Sequence, residues 1–140
     1  MNKKELKDIT ENLIKTFLEA GKESIDLFNK GLKVQIKEDQ SPVTNGDLKV
    51  NEIITKKILE LTPGIPIISE ETVDINVKNK SKVFWLIDPI DGTKEYIAGT
   101  DEYTLNAALV MNKVPIIGLV GAPKKKQLFF SYAPGESYLI

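Results

Sequence analysis

The sequence predicts an α+β layered fold, with two helices packed on a largely antiparallel sheet. Two stretches of helical periodicity open the chain, a meander of strand candidates closes it, and only short turn signals separate those strands. With 140 residues, 41% of them hydrophobic, a single domain over 1–140 has enough apolar surface for a real core.

From Lys3 to about Lys30, Leu6, Ile9, Leu13, Phe17, Ile25 and Phe28 recur mostly at three- and four-residue steps. That is an amphipathic helix with a Lys- and Glu-rich outer face. Val34 and Ile36 alternate with polar residues in a short strand candidate. Ser41 to Asp47 reads as a loop, with Asp47 placed to cap the next helix. That helix runs on Ile53, Ile54, Ile58 and Leu61 and stops at Thr62-Pro63-Gly64. Pro66-Ile67-Ile68-Ser69 is a short strand delivering Glu70 and Glu71, and residues 72–82 read as a polar loop. Val83 to Ile87 is a buried strand with Phe84 and Trp85 as core, turned sharply by Pro89 and Gly92. Lys94 to Ile97 forms a helical turn. Strands follow at Thr104–Met111, Ile116–Val120 and Leu128–Tyr132, and Lys124 to Lys126 is a solvated turn. Tyr138-Leu139-Ile140 is again strand-like, and an edge there calls for a partner.

Composition removes several chemistries. The chain has no Cys and no His, which excludes thiolate metal sites, cysteine nucleophiles, Ser-His-Asp catalysis and the usual zinc sites. All 19 basic residues are Lys, so a bound phosphate is held without a guanidinium fork. A net charge of −1 gives no support for binding a nucleic-acid polymer. No apolar run approaches a membrane span, and no apolar segment follows the N-terminal lysines, so a cytoplasmic protein is expected.

The chemistry concentrates in Leu86-Ile87-Asp88-Pro89-Ile90-Asp91-Gly92-Thr93. Asp88 and Asp91 stand at the end of a hydrophobic strand, where uncompensated charge is costly and a hard cation is one remedy. If the strand ending in Glu70 is a neighbour, Glu70, Asp88 and Asp91 converge, and the Ile90 carbonyl is a further oxygen donor. Alone, Asp91-Gly92 reads equally well as an ordinary turn, and Glu70-Glu71 reads better as a solvated loop; together the two placements favour a metal. Gly92 and Thr93 open a helical turn whose free N–H groups suit a phosphate. Thr93 is either a helix cap or, if Asp47 reaches it, half of a pair that activates a water. Lys94 and Glu95 are substrate contacts or surface residues.

These residues resemble the inositol monophosphatase superfamily of metal-dependent phosphatases. The resemblance lies in Trp85 to Thr93, in Ser69-Glu70-Glu71 upstream, and in Ser41-Pro42-Val43-Thr44 leading to Asp47. Asp91-Gly92-Thr93-Lys94-Glu95-Tyr96, with Glu102-Tyr103-Thr104-Leu105-Asn106, is similar to the 3′(2′),5′-bisphosphate nucleotidase branch. The resemblance implies that 1–140 is the metal-binding N-terminal domain of such an enzyme, without its C-terminal domain. It implies Mg²⁺, two or three ions, held by Glu70, Asp88, the Ile90 carbonyl and Asp91, with one ligand from the C-terminal half. It implies Asp47 and Thr93 as the catalytic pair, and Gly92 and Thr93 as the phosphate cradle. The implied substrate is adenosine 3′,5′-bisphosphate, and lithium the implied inhibitor. Relatives tend to carry a basic residue where this chain has Ala98-Gly99-Thr100. Inositol or sugar monophosphate hydrolysis, and a non-catalytic metal- or phosphate-binding half, stay open. The protein partners left open are a second copy of the chain and a complementing C-terminal half.

Overall fold

The structure is a computed structural model, and it describes residues 1–69, 82–133 and 135–140. The chain opens with α1 (Lys3–Lys30), started by a reciprocal capping box. The Asn2 side chain accepts from the Glu5 N–H, and the Glu5 side chain bonds back to the Asn2 backbone. Gly31, at φ 95°, ends the helix. A small antiparallel hairpin follows, β1 (Val34–Ile36) with β2 (Pro42–Thr44). It leads directly into α2 (Asn45–Leu61).

Among the described residues the main sheet has six strands in sequence order: β3 (Ile67–Ser69), β4 (Val83–Asp91), β5 (Thr104–Met111), β6 (Val114–Ala122), β7 (Gln127–Ala133) and β8 (Glu136–Leu139). Only β3 and β4 are parallel; every later pair is antiparallel. The short helix α3 (Thr93–Ala98) joins β4 to β5. Among the described residues, no helix is long and apolar enough to cross a membrane.

Both long helices lie on one face of the sheet, as the periodicity predicts. Leu13 and Phe17 of α1 and Ile54 and Ile58 of α2 meet Trp85, Ile87, Leu105, Leu109, Ile117 and Leu119 in one buried cluster. The Trp85 indole N–H is satisfied by the Thr62 hydroxyl at 3.0 Å, so a large side chain is buried without an orphan donor. The opposite face is open and largely apolar. Leu86, Val120 and Phe129 on it keep 45%, 39% and 43% of their surface exposed.

Four local expectations change. Phe84, expected in the core with Trp85, is half-buried on the open face beside Val110, because neighbours in a strand alternate faces. Residues 42–44 are a strand rather than loop, and Thr44, not Asp47, is the N-cap of α2, with Asp47 at the third helical position. The hairpin between β5 and β6 narrows to Asn112-Lys113, both left-handed (φ 51° and 68°). Two such residues match the strand twist, so Val114 and Pro115 join β6 instead of the turn. Finally, β4 does not turn after Ile87 but continues to Asp91 through a register irregularity. The polar loop expected over 72–82 lies, up to residue 81, outside the described residues.

Ile54 is fully buried against the sheet. Ile54→Ala should cost about 2–5 kcal/mol, the usual range for deleting a core aliphatic side chain. Urea unfolding followed by fluorescence of Trp85, the single tryptophan, measures it.

Candidate functional site

The start of α2 determines where Asp47 can go. Thr44 has extended backbone (φ −119°, ψ 165°), its hydroxyl accepts from the Asp47 N–H, and Asp47 reaches back to Thr44. Asp47 Oδ2 accepts from the Thr44 N–H at 2.9 Å and from the Thr44 hydroxyl at 2.5 Å. The other oxygen, Oδ1, accepts from the Thr93 hydroxyl at 2.8 Å, across 46 residues of sequence. Asp47 is fully buried. The two residues that spacing alone leaves unconnected are therefore bonded directly, and Asp47 serves as capping-box residue and Thr93 acceptor together.

The acids at the end of β4 are placed by a bulge. In a regular strand, residues three apart point to opposite faces of the sheet. Here Asp88 pairs with Asn106 and Asp91 with Thr104, so three steps on β4 match two on β5. The extra residue brings both aspartates to the open face, beside Asn106 and Thr104, while Pro89 and Ile90 are buried. Asp88 is half-buried and Asp91 exposed. The Ile90 carbonyl lies 3.4 Å from the Thr93 hydroxyl, whose hydrogen goes to the nearer Asp47 oxygen.

Gly92 makes the turn at φ 91°, a conformation disfavoured for any other residue, and a Cβ there would meet Glu95 Oε2 at 3.2 Å and the Glu102 carbonyl at 3.3 Å. It starts α3, with Thr93 in the first turn and Lys94 and Glu95 exposed. On the strand beside β4, Ser69 stands opposite Ile87, and its hydroxyl donates to Asn51 Oδ1 of α2 at 2.5 Å. Glu70, the next residue, lies outside the described residues, as does Glu71. Among the described residues, no three acids cluster as a complete metal site. Lys124 stays clear of these groups: it bonds the Gly99 carbonyl at 3.0 Å and lies 4.8 Å from the Phe28 ring centroid.

Sequence reasoning missed the support under Asp47 and Thr93. Tyr96, one turn after Thr93, is buried and donates to the Ser24 carbonyl of α1 at 2.6 Å. Its ring lies 4.7 Å from that of Tyr103, and the Tyr103 and Ser24 hydroxyls are 2.8 Å apart. A Cβ on Gly46 would fall 2.2 Å from the Tyr96 hydroxyl, so Gly46 is the gap through which α3 approaches α2. The available signal was the position of Tyr96 on the Thr93 side of α3 and of Gly46 beside Asp47. Burial foremost, then the Tyr103 and Asp47 charges, pushes the Tyr96 phenol well above its ordinary range.

The inositol monophosphatase family profile matches residues 5–139. The chain belongs to the inositol monophosphatase family. Among its curated relatives, a 3′(2′),5′-bisphosphate nucleotidase CysQ of Aggregatibacter actinomycetemcomitans is 33% identical over 125 residues, 88% of this chain and 46% of that protein. The same-named protein of Haemophilus influenzae is 36% identical over 107 residues, 75% of this chain and 40% of its own length. Among solved structures, CysQ from Bacteroides thetaiotaomicron superposes with a TM-score of 0.77 at 34% identity, covering 96% of this chain and 49% of that one. An IMPase from Thermotoga maritima superposes at 0.82 with 24% identity, covering 94% and 51%, and bears on the fold alone. The chain thus spans about half the length of the curated relatives it matches, and family membership accounts for the α+β layers seen here.

Two outcomes follow from the buried phenols. Tyr96 and Tyr103 both stay protonated in the folded protein to higher pH than in the unfolded chain. Their stabilisation is complete below the unfolded phenol pKa of about 10 and falls as pH rises above it. Tyr96→Phe should therefore flatten the alkaline loss of stability in urea melts across that pH range. Gly46→Ala should destabilise by about 1–3 kcal/mol through overpacking against Tyr96, read from the same melts.

Proposed function

We propose that the chain is the N-terminal half of a Mg²⁺-dependent phosphatase that hydrolyses the 3′-phosphate of adenosine 3′,5′-bisphosphate to AMP and phosphate. The observation that carries it is the Thr93–Asp47 hydrogen bond at 2.8 Å, next to a bulge that aims Asp88 and Asp91 to one face. The CysQ relatives, at 33% and 36% identity, support the nucleotide substrate over an inositol phosphate.

The donor set fits magnesium. Two carboxylates and a backbone carbonyl are hard oxygen ligands, and the chain has no His or Cys to favour a softer metal. Asp88, Asp91 and the Ile90 carbonyl would hold it, with Glu70 and an acid from the second half of the family fold as further ligands. When bound, Mg²⁺ supplies charge neutralisation at the phosphoryl oxygens and acidifies a nearby water.

The protein groups do the rest. The Thr93 hydroxyl donates to Asp47 Oδ1, so its lone pairs are turned outward to accept a hydrogen from the attacking water. As the water loses that hydrogen to Thr93 Oγ1, the Thr93 hydrogen passes to Asp47; the hydroxide attacks phosphorus, the bond from phosphorus to the ribose 3′-oxygen breaks, and that oxygen takes a proton from solvent as AMP leaves. Asp47 cannot rotate away, because Thr44 holds its other oxygen. The Gly92 and Thr93 N–H groups, at the start of α3, cradle the phosphoryl oxygens. Lys94 and Glu95, both exposed, contact the rest of the substrate.

Phosphate release tests this reading, with adenosine 3′,5′-bisphosphate and inositol 1-phosphate compared in Mg²⁺. The chain is assayed alone and mixed with the second half of a CysQ relative. The nucleotide should be preferred, and the chain alone should be much the slower of the two. Thr93→Ala and Asp47→Asn should each lower the rate by about 10²–10⁴, the usual worth of a general base. Thr93→Ser should retain most of it, which separates lost chemistry from lost folding. Activity that survives Asp88→Asn sinks the metal assignment, and a preference for inositol 1-phosphate sinks the substrate.

A further inference from the structure

The open face of the sheet is apolar along most of its length and polar at one end. Across the strands, Leu86 of β4 stands beside Ala108 and Gly118, and Phe84 beside Val110. At the other end the rows change character: Asp88 faces Asn106, and Asp91 faces Thr104. Directly opposed residues of an antiparallel pair have neighbouring side chains on the same face. Asn106 and Thr104 are therefore the two side chains of β5 closest to the two acids, and both are half-buried.

These two residues are joined to each other. The Asn106 amide nitrogen donates to the Thr104 hydroxyl oxygen at 3.0 Å and lies 3.3 Å from the Thr104 carbonyl. That bond fixes the plane of the Asn106 amide. It also sets the direction of the Thr104 hydroxyl: an oxygen that accepts from Asn106 keeps its own hydrogen for another acceptor, and the acid directly across the ladder is Asp91.

We propose that Thr104 and Asn106 are positioning residues for the acidic end of β4. They form a hydrogen-bonded bracket on β5: Asn106 fixes Thr104, and the Thr104 hydroxyl, left with its own hydrogen, orients the Asp91 carboxylate beside Asp88 for a divalent cation. The inference rests on the reading of those two acids as Mg²⁺ ligands. Carboxylate ligands are themselves commonly oriented by hydrogen bonds from a surrounding shell, and losing such a partner typically weakens metal binding by about 10–100-fold.

Calorimetric titration of Mg²⁺ into the chain tests this without reference to turnover, with Tm in the absence of metal as the control for folding. Thr104→Val keeps the shape and removes the hydroxyl; Asn106→Leu keeps the bulk and removes the amide. Each should weaken Mg²⁺ binding by about 10-fold or more, with a metal-free Tm close to wild type. Thr104→Ser should restore binding. Asp88→Asn distinguishes the two levels of the argument. If it abolishes binding while Thr104→Val and Asn106→Leu bind like wild type, the bracket is overturned and the ligand reading stands. If the wild type takes up no Mg²⁺, or Asp88→Asn binds as well as wild type, the ligand reading fails and the bracket with it.

Discussion

The site depends on one buried carboxylate. Asp47 is fully enclosed, and an ion taken out of water without partners costs several kcal/mol. It is tolerated because both of its oxygens accept hydrogen bonds, from Thr44 on one side and Thr93 on the other. Those two partners belong to different parts of the fold. Thr44 ends the small hairpin and begins α2; Thr93 begins α3 at the end of β4. The requirement that Asp47 be satisfied therefore fixes the distance between two helix starts. Neither can drift without leaving a buried charge short of a donor, which costs more than an ordinary lost hydrogen bond.

A second layer keeps that distance from collapsing. Tyr96 fills the space between α3 and α2, and only a glycine at position 46 lets it in. Its hydroxyl is anchored on α1 through the Ser24 carbonyl, and Tyr103, the residue before β5, closes the network. The long helix α1 contributes no residue to the proposed chemistry, yet it bears on Thr93 through the buried phenols of Tyr96 and Tyr103. Its covering role over the sheet and its role beneath the site are thus the same packing, seen from two ends.

Much of this was legible in the sequence, and the reasons for the rest are physical. The helices at Lys3–Lys30 and ending at Leu61, the strand at Thr104–Met111 and the core role of Trp85 follow from periodicity, which reports burial directly. The Asp88 and Asp91 pair is conspicuous because charge at the end of an apolar run needs an explanation. The link from Asp47 to Thr93 was legible only through the family resemblance, since spacing carries no information about which elements meet in space. The supporting role of Tyr96 was not legible, because its pattern is that of any core aromatic. Asp47 was misplaced as the cap because Thr44 and Asp47 are both good N-terminal residues, and in a reciprocal box both take part.

The bulge explains the Asp-Pro-Ile-Asp spacing that periodicity alone makes awkward. Two acids three apart on a strand should diverge to opposite faces, one into the core beneath the helices. One extra residue in β4 relative to β5 removes the conflict, and Pro89 is suited to sit within it. Proline has no N–H to give to a ladder, so it belongs where a strand is paired on one side only or where pairing is interrupted. The second condition holds here: the β5 register shifts between Asp88 and Asp91. The proline therefore sacrifices little in the sheet. Ile90, buried beside it, anchors the bulge in the core with its backbone carbonyl toward the Thr93 side. The motif at 88–93 is thus a single device: a proline bulge that turns two carboxylates to one face, then a glycine that swings the chain round so that Thr93 meets Asp47.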